Sequence, residues 1–181
     1  MKTFKFCCLV LIVLLPLGCQ KKKNVSGEDI NYIPGEVLIG LYDSTTFQET
    51  CSLIIYDLNL PIKSIDGFKY FAVVGEDSCE IIKSILNSKE YLTYQGRVPV
   101  YIVTDSIITI KLTFFNFGQE EANDWFEVVS EISLIEDLSE IGFFKWGVLK
   151  TPEGYEEFWI NKLSEYEIIR WAELNYIYDW D

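Results

Sequence analysis

The sequence predicts an α+β chain in which the order β-α-β-β-α-β is written twice, each time as an antiparallel sheet with its helices on one face. Three observations predict it. From residue 36 onward, β-rich apolar runs alternate with stretches whose apolar residues recur at helical spacing. Turn residues, notably Asp66-Gly67 and Thr104-Asp105-Ser106, fall between them. The second half then repeats the element order of the first. With 181 residues, 15% of them aromatic, the chain is long enough for one or two packed domains.

In chain order, Glu36 to Tyr42 follows Pro34-Gly35 and reads as a strand. Phe47, Cys51, Ile54, Ile55 and Leu58 give a helix over about 46–58, with caps offered by Asp43 to Thr46 and a stop at Pro61. Ile62 to Ile65 and Phe68 to Val74 are expected to form a hairpin through Asp66-Gly67. Asp77 or Ser78 caps a second helix with Ile81, Ile82, Ile85 and Leu86 on one face, and Glu90 to Tyr94 starts the next strand. Val98 to Val103 either extends that strand or pairs with Ile107 to Phe114. A helix over 120–133 carries Ala122, Trp125, Phe126, Val129 and Ile132, and two short strands are expected on either side of 140–142. A helix over 153–165 with Phe158, Trp159 and Leu163 and a strand over 168–177 complete the chain. Phe68-Lys69-Tyr70 aligns with Phe144-Lys145-Trp146 between the two halves. The repeated order is that of the ferredoxin-like unit. The expectation is two tandem ferredoxin-like units, 34–97 and 98–181, and the pattern leaves open whether they share one sheet.

Charge and composition exclude several functions. With 15 Lys+Arg against 28 Asp+Glu, the formal charge of -13 argues against nucleic acid, which needs a basic face to release counterions. The chain has no His, which removes an imidazole base and His-ligated metal. Glu120-Glu121, Glu136-Asp137 and Glu156-Glu157 are adjacent pairs, whose side chains point apart and cannot flank one bond, so they read as solvated helix faces. No calcium-loop spacing, phosphate-cradling Gly-rich loop or Gly-x-Ser-x-Gly stands in the sequence. The expectation is a non-enzyme without cofactor or metal. The five tryptophans all lie beyond residue 98, which makes the second half the better candidate for a binding surface.

At the N-terminus, Lys2 and Lys5 precede an apolar stretch, Phe6 to Leu17, too short for the roughly 20 residues of a membrane-spanning helix but suited to a signal peptide. Leu15-Pro16-Leu17-Gly18-Cys19 resembles the lipobox of bacterial lipoproteins, with Pro16 where that family usually has an aliphatic residue. The resemblance implies cleavage of 1–18, acylation of Cys19, a tether over 19–33 and, since Gln20 is not Asp, a place in the cell envelope at the outer membrane. Cys51 and Cys79 then remain as free thiols, at the starts of helices expected too far apart for a disulfide.

Pro34-Gly35-Glu36-Val37-Leu38-Ile39 resembles the first strand of subtilase propeptides. Pro152-Glu153-Gly154-Tyr155-Glu156 and Ala172-Glu173-Leu174-Asn175-Tyr176 are similar to the last helix and strand of the same family, with Leu174 in place of its usual Pro. The resemblance implies a ferredoxin-like fold whose sheet face packs on a protease and whose tail enters the active-site cleft. Here that tail is Tyr176, Ile177, Tyr178, Asp179, Trp180 and Asp181. The expected function is a membrane-anchored protein-interaction module, in its narrower form an inhibitor of subtilisin-type proteases. The alternative is a small-ligand or glycan binder using exposed tryptophans.

Overall fold

The computed structural model describes residues 31–75, 78–139 and 144–177. It is α+β, with a seven-stranded antiparallel sheet and four α-helices. Strand β1 (Tyr32–Leu41) leads into α1 (Phe47–Cys51), which winds on as a π-helix over Ser52–Asp57, and then β2 (Ile62–Val73). Helix α2 (Ser78–Asn87) and a 3-10 turn over Glu90–Leu92 precede the hairpin of β3 (Val100–Thr104) and β4 (Ile107–Phe117). Helix α3 (Gln119–Glu131), β5 (Ile135–Glu136), β6 (Lys145–Lys150), α4 (Glu156–Leu163) and β7 (Ile169–Tyr176) follow.

The strands lie in the order β3-β4-β2-β6-β1-β7, with β5 also paired to β2. The pairings carry a simple consequence. β1 and β2 both run antiparallel to β6 and are therefore parallel to each other, with β6 between them. β6 and β7 both run antiparallel to β1 and enclose it in the same way. Two β-α-β crossovers, β1-α1-β2 and β6-α4-β7, are thus interlocked, each holding a strand of the other. The stretch from α2 to β5 is inserted between them, and its hairpin widens the sheet on the β2 side.

Hydrophobic burial fixes which face the helices cover. Val37, Ile39 and Leu41 alternate inward on β1, as do Ile108, Ile110, Leu112 and Phe114 on β4. These join Phe47, Cys51 and Ile54 of the first helical segment, Leu86 of α2, Trp125 of α3 and Leu163 of α4 in one buried cluster. Phe47 stacks on Phe114 with ring centroids 4.0 Å apart, while Trp125 meets Phe114 edge-on at 5.1 Å. Thr46 starts α1 with a reciprocal capping box: the Glu49 amide donates to Thr46 Oγ1 at 3.1 Å and the Thr46 amide to Glu49 Oε2 at 2.8 Å.

Several expectations need correction. The described strands form one sheet in which those of 34–97 and 98–181 interleave, because β6 supplies the partner that β1 and β2 need. Asp66-Gly67 is not a hairpin turn. β2 runs through it as one strand with a register shift between Asp66 and Phe68 opposite β4, a bulge. Gly67 sits at φ +93°, and a Cβ there would lie 2.7 Å from the Phe144 carbonyl oxygen, so glycine serves backbone conformation and close approach together. The Asp66 carboxylate holds the bulge by accepting from the Gly67 amide at 2.8 Å and from Thr113 Oγ1 at 3.0 Å. Glu90 to Tyr94 begins as a 3-10 turn rather than a strand. Phe68 is buried whereas Phe144 is 67% exposed, so their alignment does not reflect equivalent places. Cys51 and Cys79 are both free thiols, and burial first, then Glu136, pushes the Cys51 thiol well above its ordinary value. Cys51 is buried and Cys79 half-buried. Residues 140–142, expected between the two short strands, lie outside the described residues.

Candidate functional site

Among the described residues the helices cover one face of the sheet, and alternation decides what the other, outer face presents. On β1 the outward residues are Glu36, Leu38 and Gly40; their neighbours on β6 are Lys150, Val148 and Trp146. Opposite Gly40 on β7 stands Trp171. A Cβ on Gly40 would lie 2.2 Å from the Trp171 indole, so the ring lies directly over this backbone and glycine is what admits it. Trp146 is 42% exposed and Trp171 36%, and the two indoles flank Gly40 in a row that continues through Asp66 and Thr113. The next row runs Glu173, Leu38, Val148, Ser64 and Phe115, where Tyr94 stacks on Phe115 at 5.2 Å.

The other tryptophans have different places. Trp125 is fully buried, and Trp159 is packed beside Phe158 with Lys162 Nζ 5.0 Å above its ring. Trp180 lies outside the described residues, as do Tyr178, Asp179, Asp181 and the lipidation candidate Cys19. Of the expected tail, Tyr176 ends β7 opposite Tyr32, and the Ile177 amide donates to the Asn31 carbonyl at 2.9 Å with its side chain half exposed. Among the described residues β7, which the tail follows in sequence, is an edge strand of the sheet.

Contacts missed by sequence reasoning tie the start of the fold to its end. Glu156, expected on a solvated face, is buried; its Oε1 accepts from the Gly35 amide at 2.6 Å and the Gly154 amide at 3.1 Å. Burial by itself would raise this carboxyl, but those amides, with the residue's own, hold it below the ordinary value. The Thr151 amide returns a bond to the Gly35 carbonyl at 2.8 Å. Glu36 receives Lys63 Nζ at 2.6 Å on one oxygen and Asn175 Nδ2 at 2.8 Å on the other. The spacing Pro-Gly-Glu at one end and Glu156 with Asn175 at the other was the only signal in the sequence.

A second buried charge organises the upper end of the sheet. Lys145 Nζ donates to the Thr45 carbonyl at 2.6 Å and the Asp43 carbonyl at 3.0 Å, and lies 3.7 Å from Glu136. Glu136 in turn accepts from the Phe47 amide at the start of α1 at 3.0 Å. Desolvation lowers Lys145 and raises Glu136, each opposed by the attraction of the other. Beside them a cleft of about 180 Å³ is lined in part by Asp43, Asp66, Lys69, Asp137 and Phe144. Lys145 and Glu136 are fully engaged in holding backbone, which suits positioning rather than chemistry.

Asp137 closes that edge. Its Oδ1 accepts from Ser139 Oγ at 2.6 Å and the Ser139 amide at 3.0 Å, while Lys69 Nζ lies 3.0 Å from Oδ2. These partners, Ser139 foremost, pull its pKa from 3.8 to about 2. A carboxyl depressed in the folded state stabilises the fold above its unfolded value, and that contribution is lost as pH falls through the folded one. Asp137→Asn is therefore expected to flatten the loss of stability between pH 3.8 and about 2, measured by urea unfolding at a series of pH values. An acid limb as steep as that of the wild type would contradict this assignment.

Among the described residues, no helix is long and apolar enough to cross a membrane. Compared with known proteins, the chain matches no family model, no curated protein and no solved structure.

Proposed function

We propose that this chain is a non-catalytic interaction module, lipid-anchored at Cys19 in the bacterial cell envelope, that docks the outer face of its sheet on a subtilisin-type protease and inhibits it as a propeptide does. The observation that carries the proposal is the meeting of the two stretches that resemble subtilase propeptides. Gly35 and Glu36 from the first contact Glu156 and Asn175 from the second, although more than a hundred residues separate them. The interlocked crossovers that bring them together have the connectivity of a single ferredoxin-like unit, β1-α1-β2 with β6-α4-β7, in place of two tandem units. The outer face supplies what a docking surface needs: two partly exposed tryptophans toward its β7 side, with polar residues around them.

In this reading the sheet provides affinity and the tail after Asn175 provides inhibition, entering the cleft as an extended strand. Titration of the detergent-solubilised full chain into subtilisin-type proteases tests it, with a variant truncated after Asn175 alongside. Saturable inhibition that the truncation removes is the expected result. A chain that neither binds nor inhibits any such protease contradicts the proposal. A second reading rests on Trp146 and Trp171, whose indoles on one face would also suit stacking against a sugar ring. Quenching of their fluorescence by glycans without protease binding would favour it.

A further inference from the structure

Helix α4 carries an aromatic stripe that the core only partly uses. Tyr155, Phe158, Trp159 and Lys162 follow one another at the spacing of neighbours along one side of a helix. Tyr155 and Phe158 are each 56% exposed, while Trp159 is partly buried against the core and meets Phe158 edge-on at 5.4 Å. Lys162 Nζ lies 5.0 Å from the centre of the Trp159 ring, so the stripe ends on an ammonium group. Tyrosine, tryptophan and lysine settle at the boundary between water and lipid, because each joins an apolar body to a polar tip.

The fold sets this stripe at the end of the sheet where the described chain begins. The Gly35 amide donates to Glu156 at the start of α4, and the Ile177 amide to the Asn31 carbonyl. Residues 20–30, which join Asn31 to Cys19, can span at most about 40 Å, and they include Lys21, Lys22 and Lys23.

We propose that the aromatic stripe of α4 rests on the bilayer that holds the Cys19 acyl chains, with Tyr155 and Phe158 in the interface and Lys162 reaching the headgroups. The inference rests on the lipid anchor at Cys19 proposed above, and the short reach of that anchor names the occupant: it keeps a lipid surface always beside this end of the sheet. The stripe belongs to the helix-covered side of the sheet, across from Trp146 and Trp171. Contact with the bilayer there leaves the outer face free for a protease.

Fluorescence of the acylated full chain in phosphatidylcholine vesicles, with and without bromine on the upper acyl carbons, tests the proposal. This lipid has no net charge, so attraction between lysines and anionic headgroups does not enter the result. Bromine quenches an indole that it touches. Emission is expected to fall in the brominated vesicles, and Trp159→Phe is expected to remove most of that loss. Phe158→Glu puts a carboxylate where the ring meets lipid and should lift the quenching as well. Because residue 158 is exposed, the thermal unfolding midpoint of that variant should stay near the wild type's, which separates lost contact from lost folding. Flotation and mass spectrometry keep the two readings apart. A chain that carries no acyl group, or does not float with the vesicles, refutes the anchor at Cys19 and this inference with it. An acylated chain that floats but is not quenched, or whose quenching Trp159→Phe leaves unchanged, overturns this inference alone and leaves the stripe to a protein neighbour.

Discussion

Lys145→Met is expected to lower folding stability by about 3–5 kcal/mol, the usual cost of removing one partner from a buried ion pair. The lysine side chain is only 6% exposed and its ammonium meets two backbone carbonyls and Glu136, so the substitution leaves three acceptors short of a donor in a space that water reaches poorly. Methionine fills nearly the same volume and keeps the stem against Phe68, whose ring centroid lies 5.0 Å from the ammonium, so the loss reports charge and hydrogen bonding rather than a cavity. Urea unfolding should show a lower midpoint with an unchanged slope. A double-mutant cycle with Glu136→Gln should give a coupling of about 0.5–3 kcal/mol. Additive losses would mean that the two charges act separately.

Trp125→Ala is expected to cost about 3–5 kcal/mol, at the upper end for a core truncation. The indole is fully buried, meets Tyr70 at 5.2 Å and Phe114 at 5.1 Å, and its Nε1 donates to the Tyr70 hydroxyl at 3.4 Å. It is also the largest side chain by which the inserted helix α3 holds to the sheet. Trp125→Phe should cost less, because most of the aromatic contact survives and the main loss is the hydrogen bond. Equal costs for the two substitutions, by the same urea measurement, would contradict the cavity argument.

How much of this was legible in the sequence depends on the distance over which each signal acts. The helices of 47–57, 78–87, 119–131 and 156–163 were visible because apolar residues at helical spacing are a local pattern. The β3–β4 hairpin was one of two open options, since Thr104-Asp105-Ser106 is also a local turn signal. Strand order was not legible. Nothing within Lys145–Lys150 says that this strand lies between β1 and β2, because that place is set by which faces can be buried together, not by any residue's own preference. Asp66-Gly67 misled for a related reason: the same dipeptide serves a turn or a bulge, and the approach of the Phe144 backbone selects the bulge. Glu120 is exposed in the first turn of α3 as expected, but Glu136 and Glu156 are not solvated helix-face residues, because adjacency says nothing of burial. Glu136 and Glu156 each found backbone amides distant in sequence, Phe47 and Gly35 respectively, and became anchors of the fold. Of the site, the aromatic richness of the second half was visible. That Trp146 and Trp171 share the outer face, with Gly40 between them, required the pairing of β1 with both β6 and β7.

The central claim is that the outer face docks a protease, and the most direct measurement is inhibition of subtilisin-type proteases by the full chain and by the double variant Trp146→Ser, Trp171→Ser. Both indoles are partly exposed, so the variant should keep most of its thermal stability while losing hot-spot contacts worth about 2 kcal/mol each, an increase in the inhibition constant of roughly a thousandfold where the two losses add. Inhibition by the wild type that weakens to that extent in a folded double variant is the predicted result. Inhibition that persists undiminished in the double variant, or a wild-type chain that inhibits none of these proteases, would contradict it.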